Sequence, residues 1–113
     1  MYIKQLLLFA HAERDSHAAI SELVRIYGSE NVVFLHLPQK NELGSGPDSL
    51  GLRARKAIEE AGGKLFDGFK LCNLTTADYF TNDNHPNADG YKKIAGCAAG
   101  VIKELAEEKA PAG

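Results

Sequence analysis

Asn31-Val32-Val33-Phe34-Leu35-His36-Leu37 is β-branched, aromatic and almost wholly apolar, and Pro38 ends it. No other stretch constrains the fold as much. A strand with one wet face alternates apolar and polar residues, whereas a continuous apolar run suits a strand covered on both faces, as in a parallel sheet. Residues 48–61 follow with Leu50, Ala54, Ala57 and Ile58 on one helical stripe, and Gly62-Gly63 stops that helix. Lys64-Leu65-Phe66-Asp67 then reads as a second, short strand. Strand, helix and strand joined this tightly imply a right-handed parallel crossover, so the fold class is α/β.

The flanking pieces are helical in pattern. Ile20, Leu23, Val24 and Tyr27 form one stripe that Gly28 ends. The earlier Leu6-Leu7-Leu8-Phe9 would also suit a buried strand, but Ile3, Leu6, Leu7 and Ala10 fit a helical face, and a helix over residues 3–27 is the expectation. Residues 88–108 form the last helix, with Tyr91, Ile94, Ala95, Ala98, Ile102 and Leu105 as its inward stripe. Residues 39–48 are a polar, glycine-bearing loop.

Several functions are disfavoured by composition. The 113 residues allow one domain, residues 1–113, and a net charge of −2 offers no footprint for nucleic acid. Arg53, Arg55 and Lys56 are offset by Glu59 and Glu60 on the same helix. No apolar run reaches the roughly 20 residues of a membrane span. The short run from Leu6 to Ala10 lacks a small-residue cleavage site, so no secretory signal is expected and the cytoplasm is the expected compartment. Cys72 and Cys97 there read as reduced core thiols, a bridge between them being the alternative. Neither metal-ligand spacing nor a phosphate-binding glycine motif is found, and no cofactor is expected.

The chemistry concentrates in Asp83-Asn84-His85-Pro86-Asn87-Ala88-Asp89-Gly90-Tyr91. An acid and an imidazole lie two residues apart, in a polar loop that ends where the last helix begins. Pro86 stiffens the backbone and Asn87 is a good N-cap. A histidine held this way can serve as a general base, with a carboxylate to orient it and stabilise its charged form. The same run also reads as a helix-start loop whose polar groups cap residue 88 onward.

This stretch resembles the last motif of the SGNH/GDSL hydrolase superfamily, whose members cleave or transfer acyl groups with a serine, a histidine and usually an aspartate. The order of elements extends the resemblance to nearly the whole chain, which is similar to the second half of a family member. The resemblance implies His85 as the base and Asp83 as the orienting acid. Most members carry the acid three residues before the histidine, where this chain has Asn82. The family's Gly-Asp-Ser block and its Gly-x-Asn-Asp oxyanion motif are missing; Asn82-Asp83 is preceded by Phe80-Thr81, without the glycine. Ser16, Ser21, Ser29, Ser45 and Ser49 lie in other contexts. A His–Asp pair without a placed hydroxyl and oxyanion donors has little to activate.

The resemblance therefore implies a truncated SGNH-like, flavodoxin-like three-layer fold: a short parallel sheet and about three helices, completed by dimerisation. Two parallel strands leave open edges, and Val32 to Leu35 is a sticky one. A homodimer through the 31–37 strand and the N-terminal helix is the expected assembly. The leading functional expectation is an oligomeric binding or structural protein without hydrolase activity of its own. The alternatives are an esterase or acyltransferase half completed by a serine from another chain, and a small ligand-binding module with a cleft near residues 38–48 and 82–87. A small acyl ester is the ligand expected. His36 at a strand end, Asp67 before Gly68, exposed Ser45 and Cys72 are secondary candidates, each with a bland structural role as the alternative; His11 and His17 are expected on a solvated helix surface.

Overall fold

The computed structural model describes residues 6–10 and 16–108. Its elements run β1 (Leu6–Ala10), α1 (Ser16–Tyr27), β2 (Val32–His36), α2 (Ser49–Glu60), β3 (Lys64–Asp67), α3 (Gly68–Leu71) and α4 (Ala88–Glu108). Short 3-10 turns occupy Ser29–Asn31, Lys40–Glu42 and Thr76–Asp78. The three strands form one parallel sheet in the order β1-β2-β3. Each strand-to-strand connection carries a helix, as parallel pairing requires.

The expectation of an α/β class with a parallel crossover therefore holds. The helix expected over residues 3–27 does not. Leu6–Ala10 is a strand, with Leu6 opposite Val32 and Ala10 opposite His36, and the helix starts only at Ser16. A short apolar run fits a buried strand and a helical face equally, and here pairing with β2 decides between them. Ile3 lies outside the described residues.

This pairing also removes the proposed dimer edge. β2 is the central strand, hydrogen-bonded to β1 on one side and to β3 on the other, so its edges are already used within the chain. Residues Val32 to His36 are all buried. The unbroken apolarity of this segment thus reports burial in the middle of a sheet.

Alternation along β2 divides the core. Val32 and Phe34 pack with Ile20 and Val24 of α1 and with Ala54, Ala57 and Ile58 of α2. Val33, Leu35 and Leu37 face the other way and join Phe66, Cys72 and the α4 residues Ile94, Ala98, Val101 and Leu105. The molecule is three layers: α1 and α2, the sheet, then α4.

Local signals explain the helix limits. Asp48 caps α2 by accepting a hydrogen bond from the Gly51 amide at 2.9 Å. Beyond the other end, Gly62 has φ 78°, a left-handed conformation that glycine adopts without steric cost. The inward stripe of α4 is shifted from expectation. Gly90, Ile94, Ala98, Val101 and Leu105 are buried, while Tyr91, Ala95 and Ile102 are exposed. Tyr27 at the end of α1 is exposed as well.

Cys72 and Cys97 form a disulfide, with Cα atoms 5.1 Å apart. The expectation of reduced thiols is corrected. The end of α3 lies against the middle of α4, which brings two cysteines distant in sequence within bonding reach.

Candidate functional site

The carboxyl ends of β2 and β3 lead into the loops that carry the polar chemistry, as in open α/β sheets generally. After β2, Pro38 is buried and its carbonyl oxygen accepts a 2.6 Å hydrogen bond from the Tyr79 hydroxyl. Lys40 Nζ donates to the carbonyl oxygens of Phe80 and Thr81 at 3.0 and 3.1 Å. These bonds hold the loop after β2 against residues 79–81, which lead into the 82–87 segment before α4.

Asp78 and Asn87 anchor the segment that bears His85. Asp78 is buried; its carboxylate accepts from the Thr75 amide at 2.8 Å and from Lys93 Nζ at 2.8 Å. The Lys93 ammonium, then the Thr75 amide, hold this carboxyl below its ordinary range. Asn87 donates from Nδ2 to the Ala77 carbonyl at 2.8 Å and accepts from the Gly90 amide at 3.0 Å, so it caps α4 as its sequence position suggests. Gly90 is required by contact: a Cβ there would lie 2.1 Å from the Asp78 carbonyl oxygen. The Cys72–Cys97 bridge, 25 residues apart in sequence, closes a covalent loop around all of these residues.

Within that frame the chain doubles back. Tyr79 and Pro86 form an antiparallel bridge, and the Phe80 amide donates to the His85 carbonyl at 3.0 Å. Asp83 sits in the turn. One of its oxygens accepts the His85 amide at 2.7 Å and lies 3.3 Å from His85 Nδ1. The structure thus brings the expected base and acid together, with the carboxylate on Nδ1 and Nε2 left on the far side of the ring. The side chains are 75% and 53% exposed, so the pair stands in water rather than in an enclosed site.

The secondary candidates fall elsewhere. Asp67 caps α3, accepting from the Phe69 amide at 3.0 Å, and also accepts from Arg55 Nη2 at 2.8 Å. His36 is buried at the end of β2, where Nδ1 accepts from Arg55 Nε at 2.8 Å. The Phe69 ring packs on both partners, 5.0 Å from the His36 ring centroid and 5.2 Å from the guanidinium. Ser45 Oγ donates to the Glu42 carbonyl at 3.4 Å. Cys72 is in the disulfide, His17 is exposed 3.8 Å from Glu60, and His11 is outside the described residues.

Sequence reasoning missed the His36–Arg55–Asp67 network and the role of Glu42. Glu42 is buried and accepts two backbone amides, Gln39 and Asp48, at 2.9 Å each, thereby shaping the loop after β2. The available signal for the network was parity: His36 shares a face of β2 with Phe34, and that face meets α2. Tyr79 was missed too. Burial, then the charges of Asp78 and Glu42, push its hydroxyl up to about 12. A shallow depression of about 480 Å³ runs beside β3, lined by Arg55, Ile58, Glu59, Gly62, Gly63 and Leu65, and neither His85 nor Asp83 contributes to it. Among the described residues no group of three or more His, Cys, Asp or Glu could hold a metal ion. No helix among them is long and apolar enough to cross a membrane.

No protein-family model, curated protein or solved structure matches this chain.

Proposed function

We propose that the chain is an SGNH-like protein that presents the His85–Asp83 pair to a ligand and has no hydrolase activity of its own. One observation carries this reading. Base and acid are paired at 3.3 Å on an exposed turn, yet among the described residues no serine hydroxyl is hydrogen-bonded to His85. A base without a nucleophile and without oxyanion donors supplies little of the rate enhancement of acyl transfer. Its remaining uses are to accept a hydrogen bond and to orient a polar group. The anchoring of the loop by Asp78, Tyr79 and Asn87 supports a preformed binding surface.

The second reading is an ester hydrolase or acyltransferase half whose serine comes from another chain. Asp83 on Nδ1 favours it, because that arrangement leaves Nε2 as the atom able to take a proton from an incoming hydroxyl. Under either reading, strand pairing with a second copy or another chain would use the outer edge of β1 or of β3, neither of which has a further strand partner among the described residues.

Hydrolysis of p-nitrophenyl acetate by wild type, His85→Ala and Asp83→Asn tests the non-catalytic reading. Equal rates for the three proteins are expected. Wild type faster than His85→Ala by tenfold or more would overturn the non-catalytic reading.

A further inference from the structure

We propose that His36, Arg55 and Asp67 form a proton-operated latch. When the buried imidazole takes up a proton it replaces Arg55 on the Asp67 carboxylate, and the guanidinium swings to Glu59 across the depression beside β3. The device uses neither His85 nor Asp83 and stands independently of the reading of that pair.

His36 and Asp67 are register partners at the carboxyl ends of β2 and β3. Parity turns both toward α2, on the face that carries Phe34 and Leu65. One edge of the Arg55 guanidinium bridges them: Nε donates to His36 Nδ1 and Nη2 donates to Asp67 Oδ1, each at 2.8 Å. Arginine keeps its Nε–H at any ordinary pH, so the Nδ1 atom that accepts from it carries no proton, and the neutral imidazole holds its proton on Nε2. Protonation of the ring sets a second N–H against the first. Two donors cannot share that line, and one must leave. The imidazole is buried on the central strand, whereas Arg55 is a long side chain that remains 23% exposed.

The surrounding charges make the exchange feasible. Among the described residues, Arg55 from α2 and Asp67 from β3 flank the ring, and Glu42 of the loop after β2 stands close by. A Cβ on Gly51 would lie 3.1 Å from His36 Cε1 and 3.3 Å from Glu42 Oε2. The other neighbours are uncharged: α3 presents the Phe69 ring, and β1 places Ala10 opposite His36. Two carboxylates therefore stand near the imidazole, and the new Nδ1–H has Asp67 to donate to in a charge-assisted bond. Arg55 has a second partner one turn along α2. Glu59 is exposed at the i+4 spacing of helical ion pairs, and both residues line the depression of about 480 Å³. In that position the guanidinium leaves the Phe69 ring, whose centroid lies 5.2 Å from it, and the wall of the depression changes. The shape of this hollow thus follows the protonation state of His36.

Proton–nitrogen NMR of the histidine and arginine side chains, followed on the full chain from about pH 8 to about pH 5, reads the latch directly. At the alkaline end His36 is expected as the Nε2–H tautomer, with an Arg55 Hε signal protected from exchange. On acidification both should change with one midpoint. Arg55→Gln should raise the proton affinity of His36 by about tenfold and Asp67→Asn should lower it by about tenfold, as removal of an adjacent charge does. Glu59→Gln should lower it by about twofold, because the released guanidinium loses its new partner. An Nδ1–H tautomer at the alkaline end, an Arg55 signal that persists after His36 has titrated, or a midpoint that Arg55→Gln leaves in place would each overturn the latch. An unchanged midpoint in Glu59→Gln would overturn the swing to that residue. The first two readouts need only the wild-type protein, so a variant that fails to fold does not remove the test.

Discussion

Replacing Gly90 with alanine probes the joint between α4 and the loop that carries His85. α4 contains two further glycines, Gly96 and Gly100, which serve as internal controls. A Cβ on Gly90 would lie 2.1 Å from the Asp78 carbonyl oxygen and 2.9 Å from Pro86 Cβ. Neither neighbour is the far end of a flexible side chain, so the backbone must move by about an ångström. That movement also strains the 2.8 Å bond from the Asn87 amide to the same carbonyl. Overpacking costs about 1–3 kcal/mol, and loss of one backbone hydrogen bond adds about 1 kcal/mol. Alanine returns about 0.8–1 kcal/mol of helix propensity. The net expectation is a loss of about 2 kcal/mol, or roughly 8 °C in Tm for a domain of this size. At Gly96 and Gly100 an added Cβ meets nothing within 4 Å, so alanine there should stabilise by about 0.5–1 kcal/mol. Thermal unfolding followed by far-ultraviolet circular dichroism measures all three variants. A Gly90→Ala protein as stable as the wild type, or stabilised like the other two, would refute the close approach of α4 to the Asp78 carbonyl.

Three further outcomes follow from the same geometry. Tyr79→Phe removes the bond to the Pro38 carbonyl and should cost about 1–2 kcal/mol near neutral pH by urea unfolding. The folded pKa of Tyr79 is raised to about 12, so its contribution is fully present below the ordinary tyrosine value near 10 and is lost as pH rises through about 12; the gap between wild type and Tyr79→Phe should narrow over that window. For Asp78 the folded pKa is lowered, so its contribution is present above the ordinary carboxylate range and is lost on acidification; Asp78→Asn should lower Tm at pH 7, by a difference that shrinks toward pH 3. Replacing Cys72 and Cys97 together by alanine opens a loop closed by residues 25 apart, worth about 3.5 kcal/mol of chain entropy. Dithiothreitol should lower the Tm of wild type and leave the double variant unchanged, and a thiol titration of unreduced, unfolded wild type should find none.

The disulfide bears on compartment as well as stability, because such bridges persist in oxidising surroundings and are uncommon in the cytosol of most organisms. Cytoplasmic placement was expected from the lack of a small-residue cleavage site, and a bridged cysteine pair adds no support to it.

Local chemistry was largely legible in the residue order. The second crossover helix and β3 emerge with nearly the expected limits, because Asp48, Gly62 and the apolar stripe of residues 54–58 are short-range signals. The start of α4 is equally local, set by Asn87 accepting the Gly90 amide. The proximity of Asp83 to His85 needed only a two-residue spacing and a turn. Tertiary structure decided everything that depends on which surfaces meet. Leu6–Ala10 is a strand because β2 offers it an edge, and periodicity within five apolar residues cannot encode that choice. Tyr91 and Ile102 are exposed because the buried stripe of α4 is set by where the sheet lies beneath it. Cys72 finds Cys97, Arg55 finds His36 and Asp67, and Tyr79 finds Pro38 across separations of 12 to 41 residues. Short-range preferences are carried by each residue and its neighbours, whereas long-range partners exist only once the layers have closed.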